Sequence, residues 1–368
     1  MDYMAGKQSI RFKKPVCLLA ASSVAGKKEG EGPLGEKMDL LVEDPMYGQA
    51  NWEAGESQFL REAGEIAIRK AGLSMEDIRL AFSGDLLGQM ISSSFAMRSL
   101  QIPFYGVYGA CASSGAAISA AAMAVHAGYA DHALAACSSH FASAEKEFRF
   151  PLGYGNQRPK SATWTVTGAG AYVLGTVISD KNRRKNEAGK GRVPGAGNGE
   201  KTKSETEKSY ILIKGCTTGV IKDYGMSDVY NMGACMAPAA ADTIYQALQD
   251  FQMEPEDFDC IATGDLGEVG KDLLISLLAD NHMDISGVHM DCGMEIYDSD
   301  KQDTHAGGSG CACSALVLSA LILPKLWRGE WKRVLFVPTG ALLSQVTANE
   351  GETIPGIAHA VWLERSQQ

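Results

Sequence analysis

The stretch Gly109-Ala110-Cys111-Ala112-Ser113-Ser114-Gly115 has the residue types best suited to chemistry. An apolar run, Ile102 to Tyr108, leads into it, and a helix made almost wholly of small residues begins at it, CASSGAAISAAAMAVHAG over 111–128. A cysteine at a helix N-terminus meets the positive end of the macrodipole and unpaired backbone N–H groups, which favour the thiolate and lower its pKa. That is one way to make a nucleophile. Cys111 reads equally well as a buried structural thiol in a crowded helix start, and spacing alone does not separate the two. Ser138-Ser139-His140 ends the strand after this helix. In an α/β sheet, strand ends collect ligands, and hydroxyl and imidazole donors suit an anion. Strand-end capping and a structural histidine are the alternative reading of the same three residues. Arg149 and Arg158 follow in the next loop and read as surface or structural arginines. Asp265 ends a later strand, and His305 opens a second glycine-rich approach to a helix, HAGGSGCACSALVLSALILPKLWR over 305–328.

The elements that must position these residues come in matched pairs. EDIRLAFSGDL over 76–86 returns as EDFDCIATGDL over 256–266, 180 residues later. AGYADHALAACS over 127–138 parallels RGEWKRVLFVPT over 328–339, each an apolar helix end, a turn at glycine and a strand. Two pairs in the same order predict a duplicated α/β unit. Helical periodicity covers 53–72 and 237–251, and strands are expected over 78–83, 133–137, 166–174, 334–338 and 356–363, the last two antiparallel. Gly168 and Gly170 weaken their strand unless another backbone or a ligand must come close. The segment 181–208 holds nine Lys or Arg, four Glu and almost nothing apolar, so it cannot build a core and reads as a surface insertion. The chain thus divides into a half over 1–180, the insertion over 181–208 and a second half over 209–368.

Composition narrows the function classes. With 45% hydrophobic and 21% charged residues, the chain is an ordinary folded one. A net charge of −10 argues against nucleic acid. No uninterrupted apolar run reaches the roughly 20 residues needed to span a bilayer. The apolar segment after Lys13-Lys14 is broken by Ser22 and Ser23 and reads as a first strand, not a signal peptide. Nine cysteines are scattered, with only a CxC at Cys311 and Cys313, which points to a reducing compartment and no metal site; no cofactor is expected either.

The segment from Gly109 to His140, the glycine-rich VTGAGA over 166–171, the strand ending in Gly-Asp-Leu and the HAGGSGCACSA stretch together resemble the thiolase-like superfamily, which includes thiolases and 3-ketoacyl-carrier-protein synthases. The resemblance covers essentially all of the chain except 181–208. It implies a thiolase-like duplicated fold with five layers, αβαβα. Condensing enzymes of this kind use Cys-His-Asn or Cys-His-His. Here the nucleophile position is Cys111, the first His position holds Asp265, and the Asn position falls near Ser309. His305 matches a thiolase-type His only in a motif one residue short and lacking its Pro. An ionised aspartate is an acceptor of the wrong charge for an oxyanion, and it opposes ionisation of a facing thiol. Cys111 is therefore expected to be a degenerate nucleophile and the chain not to be an enzyme.

Further segments, among them SSHFASAEKEFRFPLGYGNQRP, YNMGACMAPAAADTI, HMDCGMEIYD and IPGIAHAVWLER, are similar to a sporulation family of spore-forming Firmicutes with the same fold. This resemblance implies binding of dipicolinic acid (pyridine-2,6-dicarboxylate) or its calcium chelate. It also implies a part in moving that compound into the developing spore, with membrane proteins of the same operon. The expected location is the forespore, peripherally at the inner spore membrane. The ligand-binding candidates are Cys111, Ser138, Ser139, His140, Asp265 and His305. The superfamily also implies a homodimer, with Ile102 to Tyr108 as a pairing edge. Two alternatives stand beside this one. The first is an acyl-thioester condensing enzyme or acyltransferase of the ketoacyl-synthase III type using Cys111. The second is a structural subunit docked on a membrane channel.

Overall fold

The computed structural model describes residues 3–148, 158–176 and 209–366; the insertion 181–208 and Arg149 lie outside them. The first half contains β1 (Ser9–Gly26), α1 (Trp52–Lys70), β2 (Leu80–Gly84), α2 (Ile91–Leu100), β3 (Phe104–Gly106), α3 (Ser113–Ala127), β4 (His132–Ser139), α4 (Phe141–Phe148) and β5 (Gly168–Thr176). The second contains β6 (Tyr210–Thr218), α5 (Met232–Phe251), β7 (Cys260–Thr263), α6 (Gly267–Ala279), β8 (His289–Asp291), α7 (Cys311–Val317), β9 (Arg333–Val337) and β10 (Gly356–Ser366). Helix α7 runs on through a wider turn, Leu318–Ile322, into Leu323–Arg328.

The ten strands form one path, β8-β7-β9-β10-β6-β1-β5-β4-β2-β3. Counted within its own half, each set of five runs third, second, fourth, fifth, first from the outer edge to the seam. Directions repeat as well. β2 is parallel to β3 and β4, and β7 is parallel to β8 and β9. The remaining pairs are antiparallel, including β1 with β6 at the seam, where Cys17 faces Leu212. The two Gly-Asp-Leu triplets end equivalent strands, β2 and β7, and the second matched pair ends in β4 and β9.

Strand periodicity explains the layers. In β4, Leu134 and Ala136 join the core under α1 and α2, while Ala133, Ala135 and Cys137 turn to a central core. In β9, Leu335 and Val337 pack with α5 and α6, while Val334 and Phe336 face the central core. Both faces of each sheet are covered, so these strands read as nearly continuous apolar runs. Two outer cores and one central core around α3 and α7 give the five layers, αβαβα, expected from the sequence. The central helices lie close enough for the hydroxyls of Ser114 and Ser314 to hydrogen-bond at 2.8 Å. Residues 110–127 and 311–328 are long and apolar enough to cross a bilayer by length and composition, and here both are mostly buried between the sheets.

Two helix starts differ from the periodicity. α5 begins at Met232, so Pro238 lies inside it instead of opening it. Pro238 removes one backbone hydrogen bond, but Cys235, Met236 and Ala237 are buried against the sheet, and tertiary packing decides the boundary. α3 begins at Ser113, two residues after Cys111.

Candidate functional site

Cys111 sits in a tight turn between β3 and α3. Ala110 before it has φ +48°, a left-handed conformation that a non-glycine residue adopts only when its surroundings impose it. The imposing contacts converge on its carbonyl, which accepts from the Ser113 hydroxyl at 2.7 Å and the Cys311 thiol at 3.1 Å. Gly340 backs the turn. A Cβ there would stand 2.2 Å from the Gly109 carbonyl oxygen and 3.2 Å from the Cys111 nitrogen.

Asp265 lies against this turn. Its Oδ2 accepts the Gly310 N–H at 2.9 Å, its Oδ1 accepts the Thr339 hydroxyl at 2.8 Å, and its carboxyl faces the Cys111 thiol. Burial, and then the charge of Asp265, push the Cys111 thiol well above its ordinary range. Burial also lifts Asp265 itself to about 7. The lowered thiol pKa expected of a helix start is thus reversed, because desolvation and a facing carboxylate outweigh the macrodipole. The space in front of Cys111 is a small cavity of about 20 Å³, lined by residues that include Leu86, Met232, Ser309 and Leu343. That holds about one water molecule.

Cys111, Asp265 and Ser309 are therefore brought together. The other candidates do not converge on them. Ser138 is buried and donates to Glu56 Oε1 at 3.0 Å, beside Ser143, which donates to Oε2 at 2.7 Å. Ser139 is buried, donates to the Val166 carbonyl at 2.7 Å and accepts the Ala312 N–H at 3.1 Å. These hydroxyls are committed to joining elements. His305 is half-buried in a surface loop, with Nδ1 2.8 Å from the Pro159 carbonyl and Nε2 3.0 Å from Asp303. It precedes α7 by six residues and does not reach the Cys111 cavity. Arg158 donates to Asp303 at 2.9 Å and lies over the Trp164 ring at 4.9 Å. Sequence reading gave no role to His359, since HAVWL reads as a plain buried strand. Its Nδ1 accepts the Gly219 N–H at 3.3 Å, beside the Cys111 turn, and burial pulls its pKa down to about 4, so it is neutral.

His140 leads to a different place. Its Nε2 meets the Pro45 carbonyl at 2.8 Å, its Nδ1 accepts the Ala142 N–H at 3.1 Å, and its ring borders an open cavity of about 420 Å³. Lys27, Lys28, Glu29, Trp52 and Trp164 line the same space. Trp164 stacks on Phe141 with centroids 4.0 Å apart, and the Lys28 ammonium lies 4.4 Å from its ring centre. Glu29 is fully buried. Its Oε1 accepts from the Tyr297 hydroxyl and the Thr167 N–H, while Oε2 has no partner among the described residues. Burial raises the pKa of this carboxyl. The segment after β1 is pinned by the second half, because the Lys28 ammonium donates to the Gln302 carbonyl and the Gln302 amide donates to the Lys28 carbonyl. In sequence, Lys27-Lys28-Glu29 has the look of a solvated turn, and nothing local signals its partners.

Comparison with known proteins agrees with this architecture. The family model for stage V sporulation protein AD matches residues 6–364. Stage V sporulation protein AD of Bacillus subtilis (strain 168) is 39% identical over 363 residues, covering 99% of this chain and 98% of that protein. Among solved structures, AbyA1, a tetronic acid condensing enzyme, aligns with a TM-score of 0.53 at 16% identity, covering 95% of this chain and 99% of that one. The cerulenin-bound form of OleA from Xanthomonas campestris gives a TM-score of 0.54 at 15% identity over 96% and 100%. The 3-oxoacyl-[acyl-carrier-protein] synthase III of Aquifex aeolicus VF5 gives 0.50 at 13% identity over 95% and 99%. At these identities the solved structures speak for the fold alone, which is thiolase-like.

Proposed function

The chain belongs to the stage V sporulation protein AD family, and on that premise we propose that it has kept the thiolase-like fold without acyl chemistry and binds dipicolinic acid, or its calcium chelate, for uptake into the developing spore. The proposal extends to peripheral attachment at the inner spore membrane through integral membrane partners, and to a homodimer. The observation that carries the non-catalytic reading is the Asp265 carboxylate facing Cys111, which borders a cavity of only about 20 Å³. Acyl transfer needs a thiolate and donors aimed at a developing oxyanion. Here the carboxylate opposes the thiolate, the Gly310 N–H is already taken by Asp265, and the space in front of the thiol is about the size of one water molecule.

The competing reading, acyl transfer at Cys111, draws on the retained strained turn and on fold neighbours that are condensing enzymes. One experiment separates the two. The full chain is incubated with acetyl-CoA and with long-chain acyl-CoA, and its intact mass is measured. The expected result is no adduct and no condensation product. An acyl adduct that disappears in Cys111→Ala, together with turnover, overturns the non-catalytic reading. Calorimetric titration with dipicolinate tests the binding reading directly.

A further inference from the structure

Resting on the reading that integral membrane partners hold this chain at the membrane, we propose that those partners dock on the surface made by the loops after β6 and before β10, and that the docking segment is apolar and rich in Lys or Arg. The first observation is exposure. Val220 is 46% exposed, Ile221 56%, Tyr224 67% and Val346 64%. The first three follow β6, and Val346 lies in the short helix Gln345–Asn349 that precedes β10. Single exposed apolar side chains are ordinary, but a group of them on joined loops marks an interaction surface.

The two loops are joined by hydrogen bonds. The Lys222 N–H donates to the Gly356 carbonyl at 2.9 Å, and the Gly356 N–H donates back at 2.7 Å. The Ile354 N–H donates to the Met226 carbonyl at 2.6 Å, and the Thr353 hydroxyl to Asp223 at 2.6 Å. The surface is therefore shaped before a partner arrives, which lowers the ordering cost of binding.

The second observation is charge. Neither 223–250 nor 339–356 contains a Lys or Arg. Asp223, Asp228, Glu350 and Glu352 are all exposed on these loops. Lys222, just before them, is paired with Asp242 at 2.6 Å. Hydrogen bonds from Thr353 and the Gly225 N–H hold the Asp223 carboxyl below its ordinary range, so it is charged. Apolar side chains set among negative charges select a partner that is both apolar and basic, and they repel anionic lipid headgroups. Cytoplasmic loops of integral membrane proteins carry an excess of Lys and Arg. Such a loop supplies the charge this surface lacks, and a bare bilayer does not.

The test is rebinding of the purified full chain to alkali-washed membranes from sporulating cells, measured by co-sedimentation. Two double variants probe the surface, Ile221→Ser with Val346→Ser and Glu350→Lys with Glu352→Lys. All four positions are exposed, and circular dichroism checks folding. The expected result is that the parent rebinds and each double variant rebinds about tenfold more weakly. Trypsin cuts after Lys and Arg, so membranes treated with it beforehand should bind no parent protein, and neither should vesicles of phosphatidylglycerol. If either double variant rebinds as tightly as the parent, the surface is wrong while attachment through membrane partners stands. If trypsin-treated membranes or the vesicles bind the parent as well as intact membranes do, the occupant is the bilayer and the proposal is overturned. If the parent does not rebind at all, the attachment reading itself falls, and this surface falls with it.

Discussion

Among the described residues, burial raises the pKa of four buried carboxyls, Glu29, Glu56, Asp85 and Asp265. Glu56 is pushed up to about 8, first by desolvation and then by the charge of Asp85. Its folded pKa lies above the ordinary value of 4.5 for the free group, so the protein binds this proton more tightly than the unfolded chain does. The stability tied to that proton is complete below pH 4.5 and is lost as pH rises toward 8. Asp85, Asp265 and Glu29 act in the same direction, so Glu56→Gln removes only one share of the slope. We expect the parent Tm to fall between about pH 5 and about pH 8.5 by about 5 °C more than that of Glu56→Gln. Equal slopes in thermal denaturation would mean that Glu56 is ionised in the folded protein. This carboxyl was hidden in the sequence because EAGESQFLREAGEIAIRK looks like a helix with a solvated acidic face. Ser138 reads in sequence as a ligand donor, since its partner is 82 residues away. Residue types announced the Cys111–Asp265 pair because both sit in motifs. They were silent about Glu29, whose Tyr297 partner is 268 residues distant.

Element types were largely legible, since period-2 and period-3.6 patterns are strong in a protein whose layers bury one or both faces of every element. Ends were less so. They are set by packing, as with Pro238 inside α5, and by turn geometry, as with the two residues between Cys111 and α3. The glycine-rich strand β5 is a case where composition gave the right physical demand without the agent. Gly168 and Gly170 required a close approach, and the approaching bodies are the Val24 carbonyl of β1 and Leu316 of α7 at Gly168 and α7 alone at Gly170. A Cβ on Gly170 would meet the Ala315 Cβ at 2.7 Å and its carbonyl carbon at 3.1 Å, both in a helix held by the Tyr172 hydroxyl bonding the Ala315 carbonyl at 2.7 Å. Overfilling a packed contact costs about 1–3 kcal/mol. Gly170→Ala should therefore lower Tm by about 5 °C, with the secondary structure unchanged by circular dichroism. An unchanged Tm would show that α7 retreats freely and that the central layer is looser than its hydrogen bonds imply.

At the scale of the molecule, duplication was the most legible property, because a repeat in sequence becomes a repeat in strand order. The open edge of the sheet was legible too, in part. Ile102 to Tyr108 is apolar, yet only Phe104–Gly106 forms strand β3, at the end of the sheet and paired with β2 alone. Tyr105 is 62% exposed and Tyr108 47%, with Phe95 of α2 nearby in sequence also exposed. The opposite edge, β8, differs: its residues His289 and Met290 are half-buried and Asp291 is buried. An open strand edge carrying aromatic side chains is a liability unless another chain covers it. A second copy related by a two-fold axis meets that need with the same strand, antiparallel to itself, and extends the sheet through both molecules. The proposed homodimer uses this edge, so a charge there should break it. Tyr105 rests its ring on Phe82, with centroids 5.8 Å apart, and the phenol points away from the core, so Tyr105→Lys leaves the fold's interior untouched. Sedimentation at about 10 µM should give a dimer for the parent and a monomer for Tyr105→Lys, with matching circular dichroism spectra. A parent that sediments as a monomer removes the dimer from the proposal, and a dimeric Tyr105→Lys moves the contact to another face.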